Sequence, residues 1–107
     1  HDAWISPAAV CPAPKIGEFD PTVTDESMES YAARMLGDYA AFAPLLNITG
    51  HPAASVPLYQ GAGGLPIGIQ IATRMADEAS LIRLASQLEE ALPWKQRHPP
   101  VSVFASA

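Results

Sequence analysis

Residues 53–59 (Ala-Ala-Ser-Val-Pro-Leu-Tyr) and 66–72 (Pro-Ile-Gly-Ile-Gln-Ile-Ala) are two apolar runs flanking Gln60-Gly61-Ala62-Gly63-Gly64-Leu65. The glycines between them mark a turn, so the pair predicts a β-hairpin. Pro57 has no N–H to give a ladder and is expected at an edge or a bulge. Gly68 inside the second strand predicts a close approach of backbone or side chains. Downstream, Leu81, Ile82, Leu84, Ala85, Leu88 and Leu92 form an apolar stripe at helical spacing over 77–92. Arg83, Gln87, Glu89 and Glu90 face away from it. Asp77 is placed to cap that helix and Pro93 to stop it. An amphipathic helix of this kind needs a sheet to cover, which sets an α/β class.

Upstream, residues 2–6 (Asp-Ala-Trp-Ile-Ser) read as a short strand ending at Pro7, with Trp4 and Ile5 available to a core. Residues 7–24 hold Pro7, Pro12, Pro14 and Pro21 and predict an extended, loop-rich segment running over other protein. Residues 25–46 read as helix, with Asp25 or Thr24 as N-cap and Glu26 and Glu29 at the positive end of the dipole. Met28, Tyr31, Ala32, Met35 and Leu36 recur at helical spacing, and Met28 and Met35 are expected to fill core space. A kink or break is expected near Gly37–Pro44, then irregular chain to Gly50. Residues 93–107 read as a surface tail with Trp94 as its anchor. The expected order is strand, loop, helix, β-hairpin and C-terminal helix.

Composition narrows the function. Six basic and 11 acidic side chains leave a net charge of −5, which argues against a nucleic-acid partner because little would displace counterions from phosphates. With 49% hydrophobic and 16% charged residues, the chain is not disordered. Its length fits one domain at most, which as a closed globule would bury roughly 65% of its unfolded surface. Cys11 is the one cysteine. It excludes an internal disulfide and a Cys-rich zinc site, and it is compatible with the cytoplasm. There is no apolar run of about 18 residues for a membrane span. No basic-led apolar stretch opens the chain, so no signal peptide is expected. The start at His1, without Met and directly before a strand, reads as a cut.

Local catalytic motifs mostly fail. Gly61-Ala62-Gly63-Gly64-Leu65-Pro66 begins like a dinucleotide loop, but Pro66 takes the third glycine position and leads to a strand. No serine sits in a Gly-x-Ser-x-Gly elbow, and neither lysine follows a serine by three residues. His51, between Gly50 and Pro52, reads as a loop or packing residue more readily than as a base. There is no His-x-x-x-His or Cys-x-x-Cys pair for a metal. Glu89-Glu90 and the acidic residues of 18–29 read as solvated faces and dipole complements.

One order of motifs is far more specific. Residues 42–58 read Phe-Ala-Pro-Leu-Leu-Asn-Ile-Thr-Gly-His-Pro-Ala-Ala-Ser-Val-Pro-Leu. Gly64-Leu65-Pro66-Ile67-Gly68-Ile69-Gln70-Ile71 follows, then Asp77-Glu78-Ala79-Ser80-Leu81-Ile82-Arg83-Leu84-Ala85, Leu88-Glu89 and Pro93-Trp94. This order resembles the C-terminal end of amidase signature hydrolases, with Asn-x-Thr-Gly-x-Pro-Ala-x-Ser-x-Pro leading to Gly-Leu-Pro-x-Gly-x-Gln and a closing helix. Asp2-Ala3-Trp4-Ile5-Ser6-Pro7 resembles that family's strand ending in Thr-Pro or Ser-Pro, so the likeness spans nearly the whole chain. It implies part of a mixed β-sheet covered by helices.

The resemblance also implies what lies elsewhere. Such enzymes hydrolyse amides with a nucleophilic serine, a bridging serine and a lysine base, and no residue here matches any of the three positions. Residues 1–107 are then expected to be the C-terminal part of one amidase domain, inactive alone, by processing, nicking or truncation. The partners implied are the remaining N-terminal part, a small-molecule amide substrate and, for an independent module, a second copy in a homodimer. No metal or organic cofactor is implied. Residues just before the Asn-x-Thr-Gly motif line the acyl pocket in that family, which makes Phe42, Ala43 and Leu46 candidate substrate-binding residues; plain core packing is the competing reading. Many relatives carry Thr where Ala43 stands, so this pocket is expected to favour a more apolar group. Pro93-Trp94 looks more like broad-specificity amidases than like tRNA-dependent amidotransferase subunits. Two other readings remain: a non-catalytic binding or scaffold module derived from the same fold, and a self-contained serine hydrolase using His51.

Overall fold

A computed structural model describes residues 2–103. The hairpin forms as the glycine turn predicts: β2 (Ala53–Gln60) and β3 (Pro66–Thr73) pair antiparallel. Its register shifts between Val56 and Tyr59, so Pro57 sits in a bulge on an outer strand, where a missing N–H leaves no gap in a ladder. The first strand, β1 (Ala3–Pro7), pairs antiparallel with the far side of β3, giving the order β1-β3-β2. β3 is therefore the central strand, and four successive residues, Gln70–Thr73, are buried in it.

Alternation along β3 divides the sheet into two faces. Ile69 and Ile71 stand opposite Val56 and Ala54 on β2. Together with Leu58 they meet the C-terminal helix, in which Leu81, Leu84, Ala85 and Leu88 recur at i, i+3, i+4 and i+7. That helix runs from Glu78 to Ala91. Asp77 caps it, accepting the Ser80 N–H at 3.4 Å. Asp77→Ala is expected to cost about 1 kcal/mol of stability, read as a lower urea midpoint; an unchanged midpoint would show that the cap contributes nothing. Ile82 lies about 100° round the helix from Leu81 and is 70% exposed, so it leaves the stripe that the spacing assigned to it.

The opposite face carries Trp4, Ser6, Ser55, Gln70 and Ala72, by the same registers. Gln70 Nε2 donates to Ser6 Oγ at 3.3 Å, which satisfies two buried polar groups 64 residues apart. Trp4 (44% exposed) and Ile5 (63% exposed) do not reach a core. Ile5 faces the same way as Ile71, but the C-terminal helix packs chiefly on β2 and β3 and, of β1, Ala3 reaches the core cluster.

The α-helices of the described residues are α1 (Pro21–Thr24), α2 (Met28–Arg34), α3 (Ala43–Thr49) and α4, the C-terminal helix already described. The N-cap of α2 is Ser27, whose Oγ accepts the Ser30 N–H at 3.2 Å. It is neither Thr24 nor Asp25: Thr24 ends α1, and Asp25 takes the left-handed conformation that terminates it. Asp20 starts α1, and its hydrogen bonds from the Thr22 hydroxyl and N–H hold its carboxyl below the usual range. After α2 the chain widens into a π-helical turn at Met35–Tyr39, and the helix ends at Ala40, inside the expected break.

Residues 44–49 are helical, not irregular. Pro44 falls in the first turn of α3, where no N–H partner is required and a fixed φ suits the helix. Gly50 closes α3 at φ 72°, its N–H donating to the Leu46 carbonyl at 2.9 Å. The α2 stripe is not core either. No α2 residue is buried, Met28 is 69% exposed, and Met35 is half-buried. Glu26 is not a free surface charge: it pairs with Arg34, whose guanidinium also donates to the Glu18 carbonyl at 3.0 Å and lies 4.7 Å from the centre of the Phe19 ring. The hydrogen bond to Glu26 pushes the Arg34 pKa further up.

Trp94 anchors the following segment against the Val56–Ile71–Leu81 core, and Arg97 Nη1 donates to the Pro57 carbonyl at 3.1 Å. Residues 104–107 of the expected tail, and His1, lie outside the described residues.

The surface is too large for a closed globule. The chain exposes 7871 Å², against about 5,700 Å² for a compact monomer of its mass. About half of the unfolded surface is buried, not the roughly 65% expected for a chain of this length. Its radius of gyration is 16.4 Å, where ~13 Å is usual. Val23, Met28, Leu36, Ile48 and Ile82 are all more than half exposed, and Leu45 is half exposed.

Candidate functional site

The connection from α3 to β2 builds a cleft. Gly50 turns the chain, His51 stands exposed beyond it, and Pro52 accepts the Thr73 N–H at 3.1 Å, which joins the start of β2 to the end of β3. β1 begins on the other side of β3, so its first residues face the last turn of α3. The resulting cleft has a volume of about 390 Å³, within the range of small-molecule sites.

Its apolar wall is Ala3, Trp4, Leu45, Leu46 and Ala72, and Leu46 is buried. Thr49, His51 and Thr73 add polar groups to the lining. Two of these are already engaged: Thr49 Oγ1 donates to the Leu45 carbonyl at 2.9 Å, and Thr73 Oγ1 to the Asp77 carbonyl at 3.0 Å. Arg74 and Asp2 also line it, and Arg74 Nη2 pairs with Asp2 Oδ1 at 3.1 Å. Both are well exposed, so water screens the pair and it adds little stability.

Of the three candidate substrate-binding residues, Leu46 lines this cleft. Phe42 is the N-cap residue of α3 and Ala43 its first residue; both are half-buried one turn before Leu46 and outside the cleft lining. Leu46 follows Phe42 by four residues and Ala43 by three, which keeps all three within about 100° on one side of α3. Trp4, Leu45, Ala72 and the Asp2–Arg74 pair were not legible as site residues. Only the pairing of β1 with β3 brings Trp4 beside α3, and that pairing has no local signal. Among the described residues no group of three His, Cys, Asp or Glu side chains is placed to hold a metal ion. No helix among them is long and apolar enough to cross a membrane.

A three-stranded antiparallel sheet packed against one helix, with apolar side chains left uncovered elsewhere, defines part of a larger α/β domain. The family model described as Amidase matches residues 1–82, and the chain belongs to the amidase family. It is 40% identical over 94 residues to AmiC of Mycobacterium leprae, an inferred amidase, across 88% of this chain and 19% of that protein. It is 36% identical over 104 residues to the 6-aminohexanoate-cyclic-dimer hydrolase of a Pseudomonas strain, across 92% of this chain and 20% of that one. The solved structure of a 6-aminohexanoate cyclic dimer hydrolase superposes with a TM-score of 0.80 at 36% identity, over 92% of this chain and 21% of that one. The fold is thus that of amidase signature hydrolases. The chain spans about a fifth of the length of these relatives.

Proposed function

We propose that residues 1–107 form the C-terminal part of an amide hydrolase, a single amidase-type domain whose catalytic residues lie outside this chain. One observation supports this most: a member of the amidase family that corresponds to a fifth of its relatives also exposes about 2,100 Å² more than a compact monomer of its mass. Surface of that extent is what a domain shows when its covering elements are removed.

The reaction in this reading is acyl transfer to water at a carboxylic amide. A serine outside this chain attacks the carbonyl, a lysine relays the proton through a second serine, and backbone amides hold the oxyanion. This chain contributes a pocket wall. Phe42, Ala43 and Leu46 on one side of α3 are its proposed substrate contacts, and their side chains suit an apolar acyl group. The other partners are the remaining N-terminal part and a small-molecule amide. The unpaired, exposed Cys11 fits a reducing compartment, the cytoplasm.

The test is an amide-hydrolysis assay on the complete protein and on residues 1–107 alone, with native mass spectra of both. Turnover is expected in the complete protein and none in the isolated chain. A folded, stable 107-residue monomer or homodimer with no turnover in the longer protein would favour a scaffold module. For the pocket, Ala43→Thr and Leu46→Ala are expected to lower kcat/KM for amides with apolar acyl groups by roughly 10-fold relative to polar ones. An unchanged ratio removes these residues from the pocket.

A further inference from the structure

The helix α4 carries a second stripe that the sheet does not use. Glu78, Ile82, Ser86 and Glu89 follow one another at i, i+4, i+8 and i+11, beside the stripe that meets β2 and β3. With Ala53, Ala54, Leu81, Ala85 and Trp94 they line a groove of about 430 Å³ between α4 and β2. The floor is apolar. Ile82 stands in the middle at 70% exposure, and the two carboxylates stand at the ends, ~16 Å apart along the helix.

We propose that this groove seats a basic amphipathic helix from the remainder of the amidase chain. The inference rests on the reading of residues 1–107 as part of a longer domain. The occupant lays an apolar residue on Ile82 and places a Lys or Arg at each end, about three turns apart. Charge selects it: the lining has two carboxylates and no Lys or Arg. A second copy would bring glutamates against glutamates in either direction, which juxtaposes like charges. An added β-strand is disfavoured as well. The free edge of β2 is interrupted by the bulge and by Pro57, whose carbonyl is taken by Arg97. A helix instead meets rows of side chains already spaced for ridges-into-grooves packing.

The experiment uses the complete protein. Glu78→Lys with Glu89→Lys is expected to lower Tm by roughly 5 °C or more at low salt, and the matched Gln pair by less. The gap between the two pairs is expected to shrink near 1 M NaCl, where the Debye length is about 3 Å. Ile82→Glu is expected to lower Tm at both salt concentrations. If the Lys pair leaves Tm within about 1 °C of the parent at low salt, the stripe faces water and the proposal fails. If the complete protein is a dimer that Ile82→Glu splits, a second copy fills the groove and the proposal fails. Amide hydrolysis is measured separately at 25 °C: its absence from the parent protein overturns the functional reading without touching the Tm comparison.

Discussion

Replacing Ile71 by alanine lowers the stability of the complete protein by about 3 kcal/mol, with Ile71→Val losing about 1 kcal/mol. Ile71 is 1% exposed, the most deeply buried large side chain of the described residues. It lies on the central strand, opposite Ala54 on one side and Ile5 on the other, in one cluster with Val56 and Leu81. Removing its three outer carbons withdraws their transfer free energy and leaves a void. The surroundings cannot readily close it. Gln70 is tied to Ser6, and Thr73 donates to the Asp77 carbonyl, so the backbone on each side of Ile71 is held. Urea denaturation of the three proteins measures this. A loss under about 1 kcal/mol for alanine would mean that the core is not centred on β3.

Gly68→Val is expected to cost about 3 kcal/mol and Gly68→Ala about 2 kcal/mol, by overpacking. A Cβ at Gly68 would lie 2.7 Å from Ser55 Oγ and 3.0 Å from the Ala8 methyl. The Ser55 hydroxyl can rotate away, because Ser55 is exposed. Ala8 has less room, because its N–H donates to the Gly68 carbonyl at 3.0 Å and holds the chain leaving β1 against β3. Ala8→Gly in the same molecule is therefore expected to restore most of the loss from Gly68→Ala, a coupling that a double-mutant cycle reads directly. Simple additivity of the two substitutions would show that the close approach does not constrain the strand.

Elements whose cause is local were legible. The hairpin follows from two apolar runs around a glycine turn, and α4 from a cap, a periodic stripe and a stop. The placement of Pro57 follows from its missing N–H, and the bulge confirms it. Pro44 shows how a local signal misleads. Read as a stop for the preceding helix it leaves 44–50 irregular; read as a first-turn residue, with Gly50 as the left-handed close, it starts α3. The exposure of α2 is hidden from the sequence for a different reason. Its stripe is real, but nothing in the described residues covers it. The cleft was partly legible: the resemblance pointed to Leu46, while Trp4 and Ala72 needed the sheet.

By itself, then, the sequence determined the class of the chain, the order and type of its main elements and its membership of the amidase family. These depend on spacing, caps, turns and motif order, which act within a few residues. Tertiary structure decided that β3 is central, that Trp4 faces a cleft and not a core, that Ile82 leaves the α4 stripe, and how much apolar surface stays uncovered. Those outcomes depend on pairings between segments as far apart as Ser6 and Gln70. Which segments meet is set by the summed burial and hydrogen bonding of the whole fold, which no local window contains.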